Sequence, residues 1–335
     1  MTGKEISEMQ TKYVLQSWSK QGSLTPTPVE RCEGIYIYDK DGKRYADMSS
    51  EQVNVNAGYA NKEMNEAIKA QLDSFAYIQG SFAAEPRAKL AKSIIDRLPD
   101  CFGKIFFTNG GADANENAIK IARMYTGRFK VMSQYRSYHG STFGAGNLTG
   151  EPRHFALEPA IPGFIHFRGP YSYQEKIKFA SEEEGNYYVE KLREQVIFEG
   201  GDRVAAIILE TVVGSNGIII YPKNYLKGVR KICDEFGIMM ICDEVMAGWY
   251  RTGKMFAYMN FDVVPDIITF AKGVNSGYIP LGGAIVKELK NRGFVTYSHE
   301  NVIIVAPPLI ITEEQIDEEL AKLDEVLSIV DEKYI

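Results

Sequence analysis

From Lys104 onward the chain alternates short apolar runs with helical patterns, and few architectures accommodate that order. Apolar runs rich in strand formers occur at Ile105–Thr108, Lys130–Ser133, Ala205–Leu209, Ile238–Asp243 and Ile267–Phe270. Apolar residues three and four apart mark helical segments between several of them, notably Ala114–Tyr125 and Tyr225–Phe236. Strand, helix, strand in this order predicts an α/β fold, a mostly parallel sheet with helices on both faces. Ligands of such sheets bind beyond the carboxyl ends of the strands. The unusual residues of this chain fall there. N-G-G-A-D-A-N-E-N follows Thr108, Q-Y-R-S-Y-H-G-S-T follows Ser133, Glu210 closes the third run, Asp243 the fourth, and Lys272 stands just past the fifth.

Each cluster has a chemical reading and a plain one. Gly110, Gly111 and Ala112 open a helix, where free N–H groups and the positive helix end suit a phosphate; the same residues also make an ordinary turn and N-cap. Tyr138, beside His139 and Gly140, offers a plate for a flat ring or is a surface aromatic. Asp243 can hold a proton on a heteroaromatic nitrogen or cap a turn. Lys272 is dry on its strand side and reachable from its loop side. Desolvation lowers an amine's pKa and makes it a nucleophile, whereas a lone A-K-G is as readily a snorkelling lysine. Asp243 and Lys272 lie one strand–connection–strand unit apart, so both emerge at one sheet edge. Phosphate, flat ring, basic ring nitrogen and a carbonyl that condenses with lysine together describe pyridoxal 5′-phosphate, with Lys272 placed to carry a proton between the substrate's Cα and the cofactor's C4′.

At 335 residues with 45% apolar and 24% charged residues, the chain can bury a large core and a second small lobe. Its net charge of −6 argues against a nucleic-acid surface. Cys32, Cys101, Cys233 and Cys242 are too few for a disulfide framework and form no C-x-x-C, which predicts reduced thiols in a cytoplasm. No apolar run reaches membrane-spanning length, so no membrane partner is expected. Thr2–Gly22 reads as an N-terminal arm. G-I-Y-I-Y-D-K-D-G-K-R-Y-A-D-M reads as a hairpin about D-G, and Lys62–Phe75 and Pro86–Leu98 as helices. Gly248–Lys254 fills seven positions of a phosphate-binding loop, but Met255 stands where the magnesium-binding hydroxyl belongs. The four histidines lack metal-ligand spacing, and Glu182–Glu184 reads as a solvated face.

Several of these stretches resemble the class III (ω-amino acid:pyruvate type) aminotransferases of the fold-type-I pyridoxal-phosphate enzymes. They are F-T-N-G-G-A-D-A-N-E-N-A-I-K (Phe107–Lys120), Y-H-G-S-T (Tyr138–Thr142), Glu210, D-E-V-M-A-G-W-Y-R-T-G-K-M-F (Asp243–Phe256) and I-T-F-A-K-G-V-N-S-G-Y-I-P-L-G-G-A (Ile268–Ala284). Order and spacing agree from Ser17 to Val286. The resemblance implies Lys272 as the Schiff-base lysine and Asp243 as partner of the ring nitrogen. It implies Val245 against one face of the ring and Tyr138, with His139 beside it, on the other. Gly111 and Ala112 become the phosphate cup and Glu210 a supporting carboxylate. S-W-S-K-Q-G (Ser17–Gly22) resembles the arm of taurine- and β-alanine-type members, which brings Trp18 to the substrate channel.

The resemblance also implies a homodimer and a division into three parts. Residues 1–60 form an arm and hairpin belonging to a small domain, 61–286 the cofactor-binding domain, and 287–335 the remnant of an α+β small domain. Residues 273–335 are fewer than the family carries after its lysine. The tail holds a capping box at Thr312–Gln315 and an apolar stripe of Ile316, Leu320, Leu323, Val326 and Val330. The missing middle is where relatives keep the arginine that grips the substrate carboxylate and a threonine lent to the partner's phosphate. Thr296–Ser298 looks like that threonine motif but takes no assignment. Either a segment is omitted from this sequence or the small domain is shortened. The expected activity is transfer of an amino group from an ω-amino donor such as taurine or β-alanine to pyruvate or 2-oxoglutarate. Its alternatives are another reaction of the same cofactor, such as an aminomutase or epimerase, and a truncated, non-catalytic protein of the same fold.

Overall fold

The computed structural model describes residues 1–172 and 177–287, together with Glu314 and Asp317. The chain divides into two compact units, Met1–Leu289 and Lys290–Ile335. In the second, Glu314 and Asp317 are helical and exposed; the rest of the expected capping box, the apolar stripe and the Thr296–Ser298 motif lie outside the described residues.

The first unit begins with a helix, Gly3–Tyr13, held by a capping box between Thr2 and Glu5. A small antiparallel sheet follows: β1 (Val29–Glu33), β2 (Tyr36–Asp39) and β3 (Arg44–Ala46). The expected hairpin is β2–β3, with Ile37 opposite Tyr45, and β1 adds a third strand. The main sheet comprises β4 (Phe102–Thr108), β5 (Lys130–Gln134), β6 (Phe164–Phe167), β7 (Val204–Glu210), β8 (Met239–Asp243), β9 (Ile267–Phe270) and β10 (Gly282–Lys287). Their order is β4-β10-β9-β8-β7-β5-β6. The pairs from β9 through β8, β7 and β5 to β6 are parallel, while β10 runs antiparallel between β9 and β4. The sheet is therefore mostly parallel, as the alternation predicts. β10 fits its place because it starts with two glycines. A Cβ on Gly283 would lie 2.7 Å from the Phe270 ring, and one on Gly282 would lie 2.8 Å from the Gly110 carbonyl oxygen.

Strand alternation builds a core on each face. Val131, Ala206, Ile208, Ile241 and Ile267 pack with Ala118, Ile119 and Ala122 of the helix Gly111–Thr126. Met132, Ile207, Leu209, Met240, Cys242 and Ile268 pack on the other side with Leu192 and Val196 of the helix Glu182–Glu199 and with Val229 and Ile232 of the helix Tyr225–Phe236. Left-handed glycines end two of these helices, Gly127 at φ 68° and Gly237 at φ 65°.

In the acidic run Glu182–Glu184 the first two residues are exposed, as a solvated face requires, and the third is not. The run opens a helix, and Glu184 is fully buried, accepting bonds from the Ser172 and Ala180 N–H groups. Ser50–Val53 forms one turn in which all four φ angles are positive, 48°, 44°, 62° and 61°, without a glycine. L-residues avoid this conformation by roughly 1–2 kcal/mol each, and the turn lies directly over Lys272.

Candidate functional site

The five parallel strands deliver their terminal residues to one rim. Glu210 and Asp243 close β7 and β8 as register neighbours, and Asp243 pairs in turn with Thr269 of β9. Above the rim lies a cavity of about 650 Å³, a size suited to a cofactor with a small substrate. Its walls include every candidate residue named from the sequence: Trp18, Gly111, Ala112, Tyr138, His139, Glu210, Asp243, Val245 and Lys272.

Asp243 is only 3% exposed, and its charge is met by hydrogen-bond donors. Oδ2 accepts from Asn115 Nδ2 at 2.8 Å and faces His139 Nδ1 at 2.8 Å, while Oδ1 accepts from the Val245 N–H at 3.0 Å. A carboxylate needs a donor, so the proton of His139 sits on Nδ1. The backbone of His139 is fixed as well, its N–H donating to Thr149 Oγ1 and its carbonyl accepting from Asn115. The neighbouring Glu210 accepts from the N–H groups of Tyr138 and Gly214, which seats Tyr138 over the cavity. Burial pushes the Glu210 carboxyl up to about 7, His139 opposing and Asp243 adding to the rise.

Lys272 follows β9 in a left-handed conformation, φ 47°, and its Nζ donates to the Gln52 carbonyl at 3.0 Å. Burial lowers its pKa, against the pull of the Asp243 and Glu210 carboxylates. That is the condition of an amine able to attack a carbonyl. The helix Gly111–Thr126 begins at the same cavity. Its N-cap is Gly110, and no side chain caps it, so the N–H groups of its first turn stay available to an anion. Gly111 has no room for a side chain, since a Cβ would lie 2.7 Å from Val245 Cγ1. The helix start and Val245 therefore touch and form one surface of the cavity. An uncapped helix start, a desolvated lysine and a carboxylate with acceptor capacity left fit pyridoxal 5′-phosphate.

Three features here escaped the sequence reading. Arg153 stacks its guanidinium 4.1 Å from the Tyr138 ring centroid and 4.6 Å from that of Trp18, and donates to Ser215 Oγ at 2.9 Å. Trp18 meets Tyr138 edge-on at 5.4 Å, so arm, ring plate and cation form one cluster on the cavity wall. Glu244 turns to the opposite face from Asp243. It anchors the chain at the Ala257 and Tyr258 N–H groups and accepts from Thr211, and burial raises its carboxyl to about 7. Asn115 lies inside the quoted glycine-rich stretch, but nothing in that stretch tells which buried carboxylate it meets.

The comparisons with known proteins agree with this geometry. The family model for aminotransferase class-III matches residues 18–288. An uncharacterised aminotransferase of Bacillus subtilis is 38% identical over 265 residues, 77% of this chain and 58% of its own length. Taurine–pyruvate aminotransferase of Bilophila wadsworthia is 33% identical over 300 residues, 87% of this chain and 65% of its own. The crystal structure of taurine:2-oxoglutarate aminotransferase from Bifidobacterium kashiwanohense, in complex with PLP and glutamate, superposes with a TM-score of 0.83 at 50% identity. That match covers 86% of this chain and 66% of the other. The chain thus spans less than two thirds of the length of each of these relatives. Its sheet, helical layers and rim have the fold of the pyridoxal-phosphate transaminases, and the chain belongs to the class-III aminotransferases.

Proposed function

We propose that the protein is a pyridoxal-phosphate-dependent transaminase. It moves an amino group from an ω-amino acid or amine resembling taurine or β-alanine to pyruvate or 2-oxoglutarate. The observation that carries this reading is one cavity walled by a desolvated lysine, a hydrogen-bonded buried carboxylate and an uncapped helix start. The cofactor, when bound, supplies an aldehyde that condenses with amines and a ring that withdraws electrons from the substrate's Cα. Lys272 would be the amine that holds the cofactor's aldehyde and would move the proton at the substrate's Cα. Asp243 would hold the proton on the ring nitrogen, Gly111 and Ala112 would bind the phosphate, and Tyr138 and Val245 would confine the ring. His139 orients Asp243, and Glu210 holds Tyr138 in place. Arg153, beside Trp18 and already paired with Glu151, would meet the anionic end of the donor with what remains of its guanidinium.

The division into 1–60, 61–286 and 287–335 remains part of this reading, as does a homodimer. Phe75, Tyr77 and Phe82 crowd one loop at 40%, 82% and 58% exposure, and Met48 is 90% exposed, apolar surface that a second copy would cover. A cytoplasmic location accords with four unpaired cysteines. Among the described residues no helix is long and apolar enough to cross a membrane.

The test is borohydride reduction of the cofactor-loaded protein followed by peptide mapping. Label on the Lys272 peptide, absent in Lys272→Ala, is expected; label elsewhere or none overturns the assignment. Donor alone should then release an oxo product and leave the cofactor in its amine form. An aminomutase or epimerase would release none.

A further inference from the structure

Beneath Asp243 lies a polar chain buried within the core. Thr269, in β9, is fully buried and stands in register with Asp243 one strand away. Its hydroxyl donates to Asn115 Oδ1 at 2.7 Å. The two hydrogens of the Asn115 amide then go to the His139 carbonyl at 2.7 Å and to Asp243 Oδ2 at 2.8 Å. Turned over, that amide would press its oxygen against a carbonyl and a carboxylate, so those two acceptors fix which end faces them, and the threonine hydroxyl holds the amide in place by supplying the donor its buried oxygen needs. Counting acceptor sites on Asp243 gives a definite result. Oδ2 is filled by Asn115 and His139, whereas Oδ1 has only the Val245 N–H and keeps a lone pair.

We propose that Thr269 is a positioning residue which, through Asn115, reserves Oδ1 of Asp243 for the cofactor's ring nitrogen and keeps the proton on that nitrogen. The inference rests on the function proposed above. Without the hydroxyl, the Asn115 oxygen is left buried with no donor, the amide moves off its place, its bond to Oδ2 lengthens, and the carboxylate draws the shared proton more strongly. The other titratable groups acting on Asp243 are His139, Lys272, Glu210 and Glu244, and all remain in a Thr269 variant.

Thr269→Val keeps the shape and removes the hydroxyl; Thr269→Ser keeps the hydroxyl. Each is loaded with cofactor labelled with ¹⁵N in the ring, whose chemical shift reports where the proton resides. The wild type and Thr269→Ser should give the shift of a protonated ring. Thr269→Val should move toward the unprotonated value and bind the cofactor about tenfold more weakly, the scale of one lost buried hydrogen bond. Both variants should still melt cooperatively without cofactor, and Thr269→Ser, which loses a methyl but keeps the bond to Asn115, should retain the wild-type shift and affinity, which separates positioning from packing. If valine is not tolerated, Thr269→Cys, of similar size and a poor donor, should show the same displacement. An unchanged shift and affinity in Thr269→Val or Thr269→Cys overturns the proposal. A wild-type protein that takes up no cofactor overturns the functional reading itself, and this inference with it.

Discussion

The two ends of the main sheet treat buried carboxylates in opposite ways. At the base, Asp266 precedes β9 and meets two cations, Arg230 at 2.7 Å and Lys287 at 3.0 Å, besides the Met240 N–H at 2.8 Å. Burial alone would raise its pKa, but these partners hold it below the usual carboxylate range. At the rim, Glu210 and Glu244 receive N–H and hydroxyl donors, and burial drives both up to about 7. The base uses its charges to join β9, β10 and the helix Tyr225–Phe236. At the rim, hydrogen-bond donors take the place of cations, and Lys272, on the same cavity wall, is held by a backbone carbonyl. One end of the sheet ties strands and helix together, and the other lines the cavity.

Substitution at matched positions tests this contrast most strongly. Asp243→Asn, which keeps the shape and an acceptor oxygen, is expected to lower turnover by about 10³-fold, the scale of losing a group that fixes a protonation state, with a smaller cost in urea unfolding than at Asp266. Asp266→Ala should do the reverse, costing about 3 kcal/mol because Arg230 is left partly buried without this partner, while cofactor affinity stays unchanged. If Asp266→Ala weakened cofactor binding as much as stability, the division of labour would be wrong.

The pH dependence of stability should split in the same way. The folded pKa of Asp266 is depressed, so its contribution is present above the unfolded value near 4 and is lost as pH falls through the folded value. Glu210 and Glu244 have raised folded values, so the native state binds their protons more readily than the unfolded chain does. Stability of the cofactor-free protein should therefore decline by about 2 kcal/mol per carboxyl as pH rises from about 4.5 to 7, then level off. Urea titrations across that range that showed a rise instead would contradict the burial argument.

The smallest contrast concerns the glycines at the two ends of the helix Gly111–Thr126. Gly111→Ala drives a methyl into Val245 and should cost about 1–3 kcal/mol together with cofactor affinity, with most of the loss recovered by Val245→Ala. At the base, Gly127 has open space beside it and a φ of 68°. Gly127→Ala should cost about 1 kcal/mol of backbone strain, which Val245→Ala leaves in place.

Much of this architecture was legible because parallel strands in a covered sheet must be apolar on both faces, and Ala205–Leu209 and Ile267–Phe270 are. The rim was legible because polar residues ending such strands have few structural reasons to be there. β10 was not, since its two glycines carry no strand signal and its place depends on the neighbouring Phe270 ring. Nor was the partnership of Thr269 with Asn115, two polar residues 154 positions apart joined only by the crossing of a helix over a strand. The left-handed turn Ser50–Val53 was hidden for another reason. Its residues have no local preference for that conformation, which contacts elsewhere must hold.

The adjacent carboxylates Asp243 and Glu244 make the end of β8 unusually sensitive to chain length. They face opposite layers of the molecule, one toward the helix Gly111–Thr126 and one toward Ala257 and Tyr258. Deleting a single residue from Met239–Asp243 would carry each carboxylate to the other's side, exchanging the anchor and the reactive acid. Within this strand the reading frame of the side chains decides which carboxylate faces the cavity.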